Sequence, residues 1–450
     1  MIEIALAIHI AFFVGLVVSL NARGYLNIYS GLFLYLAFHF IVFVQRPLIV
    51  HVFDLRSEFE FMNFMPTDDI FLKTLFVSDV GLLSFIGAYL MALGSKPIQP
   101  TFQYISPTQS ELRAFLIAFL LLSPLILYSL FLALTMRQTY GVTVFQELGE
   151  INMTIDPATG QKLFADTTAY VVNARNFAFP FAGLLIQMTR GRWWSYAAIF
   201  LCALVALQLG ERWEIVISTL VASMMTLYIH RRRTFTSVHY AGMVIVLALF
   251  VMIGQNRDSL IKFLTTGEIE FSFDIAKSSF GSHPDFANFD FLTFILAKVP
   301  SVSGTYSYFT QYLGIFTQPI PRMIWPDKPV GSPVQWVNLA AYGNFVSRTA
   351  SLVGDGWISL GYAGVVTTLG LCGWFFGTIF RKFCQPGISI YFYLAYFWMV
   401  GLLLQWARDG GYKILDFFLF CIGPLMLAYF IERMFWGRPA TLSDKAQPSG

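Results

Sequence analysis

Apolar runs close to twenty residues long recur down this chain. That is the length an α-helix needs to cross the hydrocarbon of a bilayer. Inside a bilayer the backbone finds no water, so a chain patterned this way has to satisfy its own amides as helices. Counting the runs predicts about eleven spans. They lie near 2–20, 28–44, 70–93, 114–135, 167–189, 194–209, 213–229, 238–254, 357–380, 388–406 and 413–431. The charged fraction of 12% is about half that of a soluble domain. The expected fold is therefore an all-α, polytopic integral membrane protein. Residues 1–254 form a bundle of about eight helices, and 255–356 a long outer loop with short helices. Residues 357–431 return to the membrane, and 432–450 form a tail.

Short connections carry the basic residues: Arg23, Lys96 with Arg113, Arg190 with Arg192, Arg231–Arg233, and Arg381 with Lys382. By the positive-inside bias these face the cytoplasm, so the long connections 45–69, 136–166 and 255–356 face out. The tail, with Arg433, Arg438 and Lys445, faces in. The first apolar run lacks the basic start and small-residue cleavage site of a signal peptide, so it is expected to stay as a span. A net charge of +3 gives no footprint for nucleic acid. The four cysteines show no CxxC spacing, so neither a disulfide framework nor a zinc site is predicted. Asp68–Asp69 fit a helix start better than a metal site, since carboxylates suit the positive end of the helix dipole. His9, His39 and His239 fall in spans and read as packing residues. Asp79, alone in the third, makes no proton pathway by itself.

The outer loop holds two stretches, 289–300 and 305–316, that read as amphipathic helices lying at the interface. It also holds "PIPRMIWPDKP" (319–329), where four prolines stiffen a segment bearing Arg322 and Lys328 around Trp325. Charges gather at the outer lips of the spans. Glu211, Arg212 and Glu214 lie in "GERWEI", Arg257 and Asp258 in "GQNRDS", Arg348 and Asp355 in "SRTASLVGDGW", and Arg408 and Asp409 in "WARDGGYKILD", followed by Lys413 and Asp416. Such groups are costly at a membrane and mark functional sites. Taken singly, Arg212 pairs with Glu211 or Glu214, and Arg408 with Asp409. Taken together on one face, Arg212, Arg257, Arg322, Lys328 and Arg408 suit a lipid-linked phosphate or pyrophosphate, because a guanidinium fork donates two parallel hydrogen bonds. His283 is a weaker candidate for a base.

The order of "GERWEI", "GQNRDS", the proline-rich hook, "SLVGDGWISLGYAGV" and "ARDGG" over about residues 200–430 resembles the Wzy-type O-antigen and polysaccharide repeat-unit polymerases of bacterial envelopes. In the hook, Pro321, Arg322, Trp325, Pro326, Lys328 and Pro329 fit the family pattern. The first half matches it only in hydropathy. The resemblance implies a GT-C-like membrane glycosyltransferase of the bacterial inner membrane, working at the periplasmic face without metal or cofactor. It would move a growing glycan from undecaprenyl-pyrophosphate onto the terminal sugar of a lipid-linked repeat unit. Its partners would be that undecaprenyl-pyrophosphate-linked oligosaccharide, membrane lipid, a chain-length regulator and a flippase. Arg212, Arg257, Arg322 and Arg408, with Lys328, would hold the pyrophosphate. Asp355, Asp409 or Glu211 would take the proton of the attacking hydroxyl, with Asp355 preferred because the flanking Gly354 and Gly356 admit a close substrate. A ligase with another acceptor, or a transporter of lipid-linked oligosaccharide, is the alternative.

Overall fold

The computed structural model describes residues 1–94, 96–140, 173–199, 201–202, 213–237, 241–242, 286–317, 325, 337–344, 349–411, 414 and 418–437. Among these, regular structure is entirely helical. Seven helices are long and apolar enough to cross a membrane. They are α1 (Ile2–Ala22), α2 (Gly31–Val52), α3 (Asp68–Leu93), α4 (Gln109–Tyr140, apolar over Gln109–Phe131), α9 (Ser351–Phe383), α10 (Ile390–Asp409) and α11 (Phe418–Trp436). Between α4 and α9 lie the shorter helices α5 (Ala178–Met188), α6 (Trp213–Ile229), α7 (Asn288–Lys298) and α8 (Thr310–Thr317). Seven of the predicted spans thus correspond to α1–α4 and α9–α11. That at 213–229 falls on α6, which is apolar over Ile215–Ile229 but shorter. Of 167–189, the described part is a 3₁₀ turn leading into α5. Half of the predicted span 194–209 and most of 238–254 lie outside the described residues.

α3 and α9 pack side by side through glycine. A methyl group on Gly373 would collide with the Phe85 carbonyl, and one on Gly377 would meet the Tyr89 carbonyl at 2.6 Å. Small residues four apart let two membrane helices approach to backbone contact, where dispersion and close packing replace the missing hydrophobic drive. Asp68 and Asp69 do open a helix, occupying the first turn of α3.

Proline shapes two of the other spans. α2 carries a π-helical turn at Phe40–Gln45 just before Pro47, and α11 begins with one at Phe418–Ile422 before Pro424. A proline inside a helix removes one N–H and clashes with the turn before it, so the local register loosens. α9 breaks differently. At Leu360 and Gly361 the backbone leaves helical geometry, Gly361 taking φ 58°. The outer segment 351–359 folds back so that a Cβ on Gly356 would lie 2.8 Å from the Val365 backbone. The carbonyls freed at the break are taken up by the loop before α8: Ser307 N–H donates to Ile358 O at 2.8 Å and Tyr308 N–H to Ser359 O at 2.9 Å.

The basic connections share one end of the bundle. Segment 97–111 runs across that end as a strap. Gln99 bonds Asn27 and the Gly24 carbonyl, and Thr101 bonds the Cys384 carbonyl. Tyr228 donates to the Thr101 carbonyl, Tyr104 to the Gln187 carbonyl and Ser110 to Glu432. Arg46, the start of α3, the outer segment of α9 and the end of α10 lie at the opposite end, because each intervening helix runs the length of the bundle.

α7 departs from expectation. Instead of lying at the interface, it is buried from Asn288 through Leu296, wedged against α3 and α9. Its polar residues are not a wet face; they have partners inside the protein. α8 is two-sided, burying Gln311 and exposing Leu313 and Phe316.

Replacing Gly373 with Leu should force α3 and α9 apart and destabilise the protein by about 1–3 kcal/mol, the usual range for overpacking. Gly370, whose missing side chain faces open space, is the control: Gly370→Ala should melt no lower than wild type. Thermal unfolding in detergent reads both.

Candidate functional site

The end opposite the basic loops is organised around one carboxylate. Asp355 sits in the outer segment of α9 and is fully buried. Three donors converge on it. Gln311 Nε2 reaches Oδ1 at 2.9 Å, while the Tyr312 hydroxyl and the Gly411 N–H reach Oδ2 at 2.7 and 2.8 Å. A second layer fixes the donors. Gln311 also donates to Ser359 Oγ at 2.6 Å, Ser359 donates to the Asp355 carbonyl at 2.7 Å, and Ser307 donates to Gln311 Oε1 at 2.7 Å. Burial, then the adjacent Asp355 carboxylate, push the Tyr312 hydroxyl well above its ordinary range. Tyr312 therefore stays a neutral donor at any working pH.

Local sequence explains why the groups can meet. Gly410 ends α10 with φ 100°, a left-handed conformation that favours glycine. Gly411 lies so close to the Tyr312 ring that a Cβ would strike it. The "ARDGG" glycines thus let the chain after α10 turn and present an N–H to Asp355. The glycines around Asp355 have a different task from the one expected. Gly354 faces Ile295 of α7, at 3.1 Å from a built Cβ, and Gly356 packs on Val365. They admit helices, not substrate. Enclosure and three donors likewise make Asp355 an anchor for the outer end in this conformation, not an open base.

The anchored turn positions Arg408 and Asp409, the last residues of α10. Arg408 Nη1 donates to Asp409 Oδ1 at 3.1 Å, with side chains 16% and 9% exposed, so the local pairing is present. The Arg408 carbonyl accepts from Asn288 Nδ2 at 3.0 Å, and the same amide reaches Thr349 Oγ1 at 2.9 Å. α7 is thereby stitched to the end of α10. It is stitched to α2 as well, through a buried ion pair. Arg46 Nε donates to Asp290 Oδ2 at 3.1 Å and Nη2 donates to the same oxygen. Burial outweighs the Arg46 guanidinium and holds the Asp290 carboxyl above its ordinary value.

Two more cations stand at this end. Lys73 lies over the Trp357 ring at 4.7 Å, and Lys298 lies 5.6 Å from the Phe64 and Phe294 rings. Among the described residues this end therefore carries Arg46, Lys73, Lys298 and Arg408, with Arg56 paired to Asp54 in the connection between α2 and α3. Of the sequence-derived site residues, the structure brings Asp355, Arg408 and Asp409 together. Glu211, Arg212, Arg257, Asp258, His283, Arg322, Lys328, Arg348, Lys413 and Asp416 lie outside the described residues, as does the side chain of Glu214. Trp325 of the hook is exposed. Sequence reasoning passed over Arg46, Asn288, Asp290, Gln311 and Tyr312. Arg46 had a signal, a cation at the outer end of the second span, by the same test that singled out the other arginines.

Three outcomes follow for the two buried systems. Arg46→Met should lower stability by about 3–5 kcal/mol, because it takes the cation from the buried Asp290 carboxyl. The double variant with Asp290→Leu should recover most of that loss in a thermal-melt cycle. Since folded Asp290 holds its proton above the ordinary 3.8, it binds more protons folded than unfolded. Its contribution to stability should fall as pH rises from that value through the raised one, a slope that the double variant lacks. Asp355→Asn puts an amide where three donors converge, and should cost about 1–3 kcal/mol while loosening the Gly410–Gly411 turn in hydrogen exchange.

No protein-family model, no curated protein and no solved structure matches the chain.

Proposed function

We propose that the chain is a membrane glycosyltransferase that polymerises lipid-pyrophosphate-linked repeat units at the outer end of its helix bundle. The observation that carries this reading is the Asp355 cluster. Two of the segments that resemble the polymerase family, "SLVGDGW" and "ARDGG", meet on one carboxylate. Their union fixes Arg408 and Asp409 beneath a buried loop helix. The reading includes the eleven-span, GT-C-like architecture and a periplasmic outer end in the bacterial inner membrane.

In this mechanism Arg408 works with Arg212, Arg257, Arg322 and Lys328 on the donor's pyrophosphate. A glycan leaves its carrier when the bond from the anomeric carbon to the phosphate oxygen breaks and negative charge builds on the leaving group. Fixed guanidinium groups stabilise that charge without reorganising, often the largest contribution to a rate. The acceptor sugar hydroxyl attacks the same carbon and loses its proton. With Asp355 committed to its three donors, Asp409 is the described carboxylate placed to take that proton. Direct displacement of this kind inverts the anomeric configuration. Asp355, Gln311 and Tyr312 act as positioning residues, which hold the end of α10 where its charges meet the substrate.

Reconstitution with an undecaprenyl-pyrophosphate-linked repeat unit tests this. Wild type should give a ladder of products on a gel. Arg408→Ala should slow its formation by about 10²–10³-fold, the usual loss for one such donor. Transfer of a single block to a lipid A-core acceptor, with no ladder, would make the enzyme a ligase. Folded protein giving no product with either acceptor would sink the reading.

A further inference from the structure

Midway along the bundle, far from the Asp355 cluster, α1, α2 and α3 meet around a histidine. His9 of α1 is 3% exposed. Its Nε2 lies 2.8 Å from the Phe43 carbonyl and its Nδ1 lies 3.0 Å from Asp79 Oδ2. The first contact has a cause in the sequence. In α-helical register the Phe43 carbonyl would accept from the N–H of residue 47, which is a proline without one. His9 donates to this carbonyl from Nε2, which requires a proton there.

The second contact then fixes the proton count. A neutral imidazole with its proton on Nε2 turns a bare lone pair from Nδ1 towards Asp79. A carboxylate oxygen has only lone pairs to offer in return. A hydrogen bond at 3.0 Å therefore needs a second proton between the two atoms, whether it sits on Nδ1 or on Oδ2. The other Asp79 oxygen is buried without a donor, so nothing else among the described residues compensates an anion there. With the proton the pair is neutral overall. Without it the pair carries one negative charge within the spans, on a carboxylate whose side chain is 22% exposed, where charge is costly.

The surroundings leave this proton to the pair. His39 of α2 stacks on Phe13 of α1 at 5.9 Å, and Tyr35 lies 6.0 Å from His39. Both ring nitrogens of His39 and the Tyr35 hydroxyl are buried without partners. Cys372 of α9 stands beside Tyr35 and is buried. Among the described residues no arginine, lysine or second acid pairs with His9 or Asp79. α1 depends on this contact, since it buries only Leu6, His9, Phe13 and Leu20 and turns Ile4, Ile8, Val14 and Val18 outwards.

We propose that His9 and Asp79 form an intramembrane proton-binding site, and that the bound proton holds α1 against α3. Release sends the proton to solvent and leaves a bare Nδ1 facing a carboxylate, so α1 loses its bond to α3 and keeps only the Nε2 bond to the Phe43 carbonyl of α2. This inference is independent of the glycosyltransferase reading.

The test uses the full chain in lipid nanodiscs. Nitrogen NMR of the histidine rings should show His9 with Nε2 protonated and Nδ1 engaged through a shared proton, a state that Asp79→Leu abolishes. Spin labels at Val14→Cys and Leu83→Cys, both on exposed positions, report on α1, with Cys202 replaced by serine. Their distance distribution should be narrow in wild type at acidic pH and broaden when the pH is raised far enough to remove the proton. Asp79→Asn, whose amide N–H donates to Nδ1 at every pH, should stay narrow throughout. A His9 ring with a bare Nδ1 or an unprotonated Nε2 at acidic pH overturns the proposal. So does a wild-type distribution that ignores pH, or one that Asp79→Asn follows.

Discussion

One carboxylate holds together the end of the bundle opposite the basic connections. Asp355 accepts from the loop helix α8 through Gln311 and Tyr312, and from the turn after α10 through Gly411. The donors come from two separate stretches of chain, so a single buried acid joins segments 43 to 56 residues from it. A buried carboxylate is costly unless its lone pairs are filled. Here three donors fill them at once. The position of Arg408, and hence any chemistry at this end, depends on that closure.

Glycine and proline supply the room and the irregularity that the closure needs. Gly373 and Gly377 bring α9 against α3 at backbone distance, and Gly361 lets α9 break and fold back. Gly410 and Gly411 let the chain turn beneath Tyr312. The prolines act by omission. Pro47 cannot donate to the Phe43 carbonyl in α-helical register, and a side chain from a different helix donates to it. Irregular backbone in a membrane bundle persists only where the protein itself satisfies the freed groups. The helix breaks are therefore where tertiary hydrogen bonds concentrate.

Much of this was legible in the sequence, and what was missed shares one character. Seven spans could be placed from apolar length because the bilayer imposes a minimum length on every crossing helix. The junction of "GDGW" with "ARDGG" was foreshadowed by charges at span ends. α7 was misjudged because Asn288 and Asp290 look like the wet face of an amphipathic helix. Periodicity cannot distinguish a polar residue facing water from one facing a buried partner 244 residues away in sequence, as Asp290 faces Arg46. Gln311 and Tyr312 were silent for the same reason: nothing local marks a residue whose partner is a distant acid. Glycines 354 and 356 were read as openings for a substrate, yet such glycines serve equally to admit another helix, and only the fold decides which.

The two buried charge systems differ in the kind of cation they use, and the difference follows from depth. At the outer end Arg46 carries a charge that cannot be removed at any physiological pH. Its pair with Asp290 is built for permanence, with two donors on one oxygen. In the middle of the bundle, where a permanent charge is dearest, the cationic partner is a histidine. His9 and Asp79 can share one proton and present no net charge to their surroundings. An arginine at position 9 would give the same formal balance but would add a desolvated guanidinium with five N–H groups to satisfy. The imidazole has two, and the structure provides two acceptors, Phe43 O and Asp79 Oδ2. The chain thus places fixed, paired charge near the end of the bundle and a pair able to share one proton at mid-depth.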